Sequence, residues 1–158
     1  IPEEYENWVF DIIERRMKPI YESAWGWDPE AKEGDLHTPE SRFLFAFIGD
    51  VPCAFIHFQF EMEFGESSVF IPDIHVEDEL QRKGLGRFML MAVELMAMQL
   101  KFDQTKVLLF KENIQGRRFF LKNRYQVHKE SPTLEDIQED IGYDHEVLFK
   151  PLKKKSSS

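Results

Sequence analysis

The chain has 158 residues, with 20 Lys+Arg against 29 Asp+Glu, so its formal net charge is −9 at pH 7 with His neutral. That length points to one domain, and 42% hydrophobic residues with 15 Phe supply a sizeable core, which excludes disordered, collagenous and low-complexity classes. The acidic balance argues against nucleic acid as a partner, because grip on phosphate backbones comes from Lys and Arg displacing counterions. It leaves two readings: a surface matched to a cationic protein or peptide, or plain solubility.

In chain order, Tyr5, Trp8, Val9, Ile12, Ile13, Met17, Ile20 and Tyr21 recur at three- and four-residue intervals. They predict an amphipathic helical region over residues 3–25, kinked or split at Pro19. Residues 28–41 turn to Gly, Asp, Glu, Pro and Thr without periodicity and read as a surface connection. Residues 42–48 and 51–64 predict a hairpin about Gly49-Asp50. In its second strand Phe58, Phe60, Met62 and Phe64 form the packing face, and His57, Gln59, Glu61 and Glu63 form the polar one. Residues 65–67 supply a turn. Residues 68–76 predict a third strand, in which Pro72 removes a ladder donor and calls for a bulge or a splayed edge.

Residues 87–100 are apolar on nearly every face and predict a core helix packed on the sheet. A strand over 105–110, a helix over 115–122 and closing strands over 125–128 and 146–149 follow. The order implies a mixed α/β single domain over 1–150. Residues 151–158 form a polar tail whose three lysines are a frayed terminus or a localisation patch. No apolar run reaches the ~18 residues of a bilayer span, so no membrane partner is expected. The first residues, IPEEYENW, lack a basic secretory n-region. Cys53 is the sole cysteine: it forms no intramolecular disulfide, points to a reducing compartment, and packs as a small hydrophobe in an apolar run. His57 and His75 fall on separate strands without a Cys or His companion at ligand spacing, so no metal is expected.

Gln81-Arg82-Lys83-Gly84-Leu85-Gly86-Arg87, between the third strand and the core helix, carries the chemistry. Its glycines permit a tight turn with exposed N–H groups, and the following helix N-terminus adds partial positive charge, a cradle that a diphosphate fits. It lacks the Gly-Lys-Ser/Thr ending of a phosphate loop. The bland alternative is a steric strand-to-helix turn.

Gln81 to Gly86 resembles the Gln/Arg-x-x-Gly-x-Gly/Ala signature of the GNAT N-acetyltransferases, in its place after that family's fourth strand once a short strand is counted within the first connection. Asn113, with Phe119 and Phe120 downstream, resembles the second signature. The resemblance implies a GNAT fold, a mostly antiparallel twisted sheet flanked by helices and splayed at an acetyl-CoA site. Within that superfamily, Ile20-Tyr21-Glu22-Ser23-Ala24-Trp25-Gly26-Trp27 resembles the N-alpha-acetyltransferase D (NatD) family, and His57 to Phe60, Phe110 to Asn113 and Ser131-Pro132 fall in the order of its segments. The resemblance implies acetyl transfer from acetyl-CoA to the N-terminal serine of histones 4 and 2A, whose tails begin Ser-Gly-Arg-Gly. It further implies activity without an auxiliary subunit, cytoplasmic and nuclear residence, and association with the ribosome or nucleosome.

For the cofactor, the resemblance assigns the Arg82, Lys83, Gly84, Leu85, Gly86 and Arg87 amides to the pyrophosphate. It assigns Ile74, His75 and Val76 backbone groups to the pantetheine arm, with Leu108 and Asn113 beside them; Asn113 alone also reads as a helix cap. An N-terminal amine must lose a proton before it attacks, and Asp73 falls where the family carries an acidic catalytic residue. Asp replaces the longer Glu expected there, and Phe70 and Pro72 stand where tyrosines are expected, so Asp73 acts directly or through water. An N–H near Ile74 would meet the developing oxyanion. Phe120 occupies the position of a proton-donating tyrosine, leaving Tyr143, water or an unassisted thiolate. With no paired His, Cys53 implies no acyl-cysteine step, and direct attack on the thioester is the simpler route.

Substrate contacts by the same resemblance are Glu61, Met62 and Glu63, whose carboxylates would pair with the substrate arginine; Tyr21, or Ile20 in its place, with Trp25 and Pro72 at the entrance; and Glu130, Ser131 and His145, where a tyrosine is expected. The rival readings are a lysine or small-amine acetyltransferase of the same fold, and a non-catalytic acyl-CoA or histone-tail binding module.

Overall fold

In the computed structural model, residues 1–63, 65–132 and 144–152 are described. The order is α1 (Glu3–Ala24), α2 (Pro29–Leu36), β1 (Ser41–Ile48), β2 (Val51–Glu63), β3 (Glu66–Val76), a 3-10 turn (Asp78–Leu80), α3 (Leu85–Gln99), β4 (Gln104–Phe110), α4 (Ile114–Lys122), β5 (Gln126–Val127) and β6 (His145–Pro151). Among the described residues the strands form one mixed sheet in the order β1-β2-β3-β4-β6-β5. Only β3 and β4 pair in parallel. The mixed, mostly antiparallel single-domain α/β fold is thus present.

α1 carries Glu3, Glu4 and Glu6 in its first turn, where they complement the helix dipole. It runs unbroken through Pro19 instead of splitting there. The missing proline N–H leaves one helix carbonyl without its donor, and the burial of Val9, Ile12 and Ile13 against Leu36 and Phe55 outweighs that loss. Each such side chain contributes roughly 1.5–3 kcal/mol. The connection at 28–41 is not structureless and holds no strand: Asp28 caps α2 by accepting from the Ala31 N–H at 3.1 Å, and Pro29 takes the first helical position. The glycine signature accordingly follows the third strand of the sheet.

The second core layer lies on the other face, where Met89, Leu90, Val93 and Ala97 of α3 meet Ile56, Val69, Ile71 and Val107. α3 is not enclosed as its composition predicts, because Phe88, Met91, Leu95 and Met98 form an exposed face. The polar alternation of β2 also departs from expectation. His57 is wholly buried beneath Phe43, while Met62, expected to pack, is 72% exposed near the strand end. Phe64, Tyr143 and the lysines of the tail lie outside the described residues.

Two irregularities of β3 build the site. His57 pairs with Asp73 and Gln59 with Phe70, so Phe58 alone faces Ile71 and Pro72. This is the bulge that Pro72 predicts. Because paired residues share a face, the bulge reverses the alternation and brings Phe70 and Asp73 to the same side of the sheet. Second, β3 and β4 pair only from Ser68/Gln104 to Phe70/Lys106. Beyond that point they diverge, and residues 71–76 and 107–110 line the same groove.

Candidate active site

The groove has a volume of about 1640 Å³. At one end stands the glycine turn. Gly84 caps α3 with φ 85°, a left-handed conformation that favours glycine, and Arg82 is also left-handed at φ 62°. The Phe88 N–H is bonded to the Gly84 carbonyl at 2.9 Å. The amides of the preceding residues belong to the first turn of α3 and have no acceptor within the helix. Arg82, Gly84, Gly86 and Arg87 line the groove, whereas Lys83 and Leu85 do not. Opposite stands Asn113, whose side chain accepts from the Gly116 N–H at 3.0 Å and so caps α4. A Cβ at Gly116 would lie 2.7 Å from that amide, so capping by Asn113 requires this glycine.

Ile74, His75, Val76 and Leu108 lie along the diverging strands and line the groove. The Val76 carbonyl already accepts from the guanidinium of Arg16 and, at 3.1 Å, from Gln81 Nε2, so it is not offered to a ligand. Arg16 also holds Asp78 at 2.7 Å, tying α1 to the end of β3.

The other end is aromatic. Trp25 packs edge-on to Phe110 at 4.7 Å and to His145 at 5.6 Å, and its Nε1 donates to Asp144 Oδ1 at 3.1 Å. Tyr21 meets the same Phe110 at 5.1 Å and Trp27 at 5.8 Å. Burial raises the Tyr21 phenol above its usual range, against the opposing charge of Lys32. Tyr21, Trp25 and Pro72 line the groove; His145 touches it only through Trp25.

Glu61, Met62, Glu63, Glu130 and Ser131 are not among its lining residues. Ser131 Oγ instead accepts from the Val147 N–H at 2.8 Å and anchors its loop to β6. Glu61 and Glu63 both hold Lys106 Nζ at 3.0 Å. The desolvation of Lys106 works against its charge, but its hydrogen bonds to Glu63 and Glu61 prevail and raise its pKa.

Asp73 departs most from expectation. It shares a face of the sheet with Phe70, and there Lys32 Nζ lies 2.7 Å from its Oδ2 and His75 Nε2 lies 3.2 Å from its Oδ1. Burial pushes the carboxyl up, but the Lys32 charge, with the nearby His57 imidazole at 3.9 Å and the hydrogen bond of His75, outweighs it and holds the group well below the carboxylate range. Burial likewise disfavours the Lys32 charge, and Asp73 reverses the balance, raising Lys32 above its usual range. With Oδ2 held by Lys32 and Oδ1 by His75, Asp73 is not the unpartnered acid that its reading as a base acting directly or through water expects. Lys32, Lys106 and Arg16 escape sequence reasoning, and Phe110 enters it only as part of a segment, without a place at the groove. Only the Lys32/Leu36 spacing in α2, four residues apart and both buried, carries a local signal.

Comparison with known proteins places this arrangement. Residues 8–124 match the Acetyltransferase (GNAT) family. Among solved structures the chain is similar to a GNAT-family acetyltransferase from Staphylococcus aureus Mu50, at 12% identity and TM-score 0.72 over 97% of this chain and 96% of that one. It is similar to PaiA N-acetyltransferase from Thermoplasma acidophilum in complex with coenzyme A, at 13% identity and TM-score 0.67 over 94% and 93%. It is also similar to Arabidopsis thaliana Naa50 in complex with the bisubstrate analogue CoA-Ac-MVNAL, at 14% identity and TM-score 0.65 over 95% and 94%. At these identities the structures speak to the fold, and the match across most of the chain carries the conclusion: the protein belongs to the GNAT acetyltransferase family.

Proposed function

We propose that this chain transfers acetyl from acetyl-CoA to a protein N-terminal amine, with NatD-type preference for the Ser-Gly-Arg-Gly tails of histones 4 and 2A. The divergence of β3 and β4 beyond Phe70/Lys106 carries the reading, because it frees ladder groups on both strands to receive an extended ligand. The residues fit acetyl-CoA. The left-handed Gly84 and the first-turn amides of α3 suit its pyrophosphate, and the backbone groups of Ile74 and His75, with Leu108 beside them, suit its pantetheine arm. Bound there, acetyl-CoA supplies a thioester carbonyl for attack by the amine.

The chain's own residues supply orientation. Ile74 N–H would meet the oxyanion from fixed backbone, without reorganisation during the reaction. Tyr21, Trp25 and Phe110 wall the acceptor end and favour a slim first residue. Glu61 and Glu63, with two carboxylates against the single charge of Lys106, leave one negative charge for the substrate arginine. With this substrate go residence in cytoplasm and nucleus, activity without an auxiliary subunit, and contact with ribosome or nucleosome. The Lys32 clamp on Asp73 favours a second reading, a non-catalytic acyl-CoA or histone-tail binding module.

The test is acetyl transfer to a Ser-Gly-Arg-Gly peptide beside its N-blocked twin carrying a free lysine. Transfer to the first alone is expected. Transfer to the twin means a lysine enzyme, and acetyl-CoA binding without transfer to either means a binding module.

A further inference from the structure

We infer that His75, oriented by Asp73, takes the proton from the acceptor amine, an assignment that rests on the amine-acetylating reading above. The Asp73 carboxylate only accepts, so in its 3.2 Å contact with His75 the ring Nε2 is the donor. Nε2 then carries the proton of the neutral ring, and the lone pair sits on Nδ1. Among the described residues no hydrogen bond engages that Nδ1. His75 lines the groove beside the diverging strands.

The other imidazole near this carboxylate does not suit the part. His57 is wholly buried, stacks on Phe43 at 4.5 Å, holds Ser41 Oγ at 2.8 Å through Nε2, and does not line the groove. The charged and titratable groups about His75 are Asp73 on its own strand, His57 from β2, Lys32 from α2 through Asp73, and Arg16 from α1, held to the neighbouring Val76 carbonyl beside Asp78. An Asp–His couple here resolves the difficulty that Lys32 creates. The carboxylate is fixed as an anion that orients the ring, and the ring supplies a base from the one side-chain class whose ordinary titration lies near neutrality.

In the step, an ammonium N–H bond breaks and its proton passes to Nδ1, directly or through one water, leaving the pair on nitrogen. That pair forms the N–C bond to the acetyl carbonyl carbon, and the C–S bond breaks with its pair on sulfur. Of the two protons the nitrogen sheds in all, one ends on sulfur and the other leaves His75 for solvent. Nothing is oxidised or reduced.

The experiment is the pH dependence of kcat/KM for wild type and His75→Gln with the Ser-Gly-Arg-Gly peptide, beside acetyl-CoA affinity. The variant is expected to keep acetyl-CoA affinity within about twofold and to lose about 100-fold in kcat/KM at pH 7, the scale of general-base catalysis. The loss should shrink toward pH 9.5, where the amine, with pKa roughly 7.7–8.0, sheds its own proton. An unchanged rate at pH 7, or a loss equal at every pH, overturns the assignment. If His75→Gln does not fold, His75→Ala assayed with added imidazole replaces it, and absence of rescue counts against His75. Should wild type acetylate only a lysine peptide, the N-terminal reading fails alone, and the same pH series with that peptide judges His75. An enzyme that binds acetyl-CoA and turns over neither peptide sinks both.

Discussion

Lys32 Nζ lies 2.7 Å from Asp73 Oδ2, with 6% and 1% of the two side chains exposed, so one buried pair joins α2 to the bulged strand that lines the groove. Removing one partner leaves a buried charge uncompensated, which costs about 3–5 kcal/mol, whereas removing both is often near neutral. Lys32→Met is therefore expected to lower the urea midpoint sharply, and Lys32→Met with Asp73→Leu to recover most of the loss. The same pair sets an acid limb. Asp73 titrates below its unfolded value, so its contribution is present above a pH of about 3.9 and is lost as pH falls further toward its folded pKa. Lys32 is raised, so its contribution is present below its unfolded pKa and is lost only as alkaline pH climbs past it. Asp73→Asn should flatten the acid limb of a stability–pH curve, and an unchanged limb would show that other carboxylates govern it.

The two glycines of the signature differ in what an added Cβ would cost. Gly84 sits at φ 85° with open space where a Cβ would project, so Gly84→Ala meets only the left-handed penalty of about 1–2 kcal/mol. Gly86 is helical, and a Cβ there meets Phe119 at 3.5 Å and Val76 at 3.7 Å, ordinary contacts. Gly86→Ala should melt no lower than wild type and keep acetyl-CoA affinity within about twofold, because Ala also satisfies the Gly/Ala place of the signature and the added methyl meets only ordinary contacts. Calorimetry paired with thermal melts distinguishes them. A marked loss of acetyl-CoA affinity in Gly86→Ala would show that the methyl meets the ligand and not Phe119 and Val76 alone.

What was legible in the sequence was whatever depends on local rules. Gly49-Asp50 marks the β1–β2 hairpin because a turn needs those residues, and Pro72 marks the bulge because it lacks a ladder donor. Gly84 marks the start of α3 for its left-handed φ. The α2 helix was hidden because only Lys32 and Leu36 of its eight residues are buried, too few for a visible period. The charge state of Asp73 was hidden for another reason. Its partners Lys32 and His57 are distant in sequence, and only the reversed alternation at Ile71-Pro72 turns it toward them. The exposed stripe of α3 was misread because composition reports how apolar a helix is, not which neighbours cover it.

Lys106 offers the sharpest test of how a cationic tail would be read. Its Nζ lies 3.0 Å from Glu61 Oε1 and 3.0 Å from Glu63 Oε2, while its own side chain is 7% exposed. A substrate arginine directed to these carboxylates therefore competes with a resident cation. Lys106→Met removes the competitor and leaves both acids bare. KM for Ser-Gly-Arg-Gly should fall roughly two- to fivefold, the scale of a pair worth up to ~1 kcal/mol at a half-exposed site. The gain should fade as salt is raised from low ionic strength, since these carboxylates are open enough to be screened. Glu61→Gln with Lys106 intact should act in the opposite direction, because the lysine then neutralises the one acid that is left. A peptide with Arg replaced by Ala should respond to neither substitution. If wild type, Lys106→Met and Glu61→Gln give the same KM with Ser-Gly-Arg-Gly, the arginine is read elsewhere, and the Glu61–Lys106–Glu63 triad is a brace that closes the sheet just before β3 and β4 part.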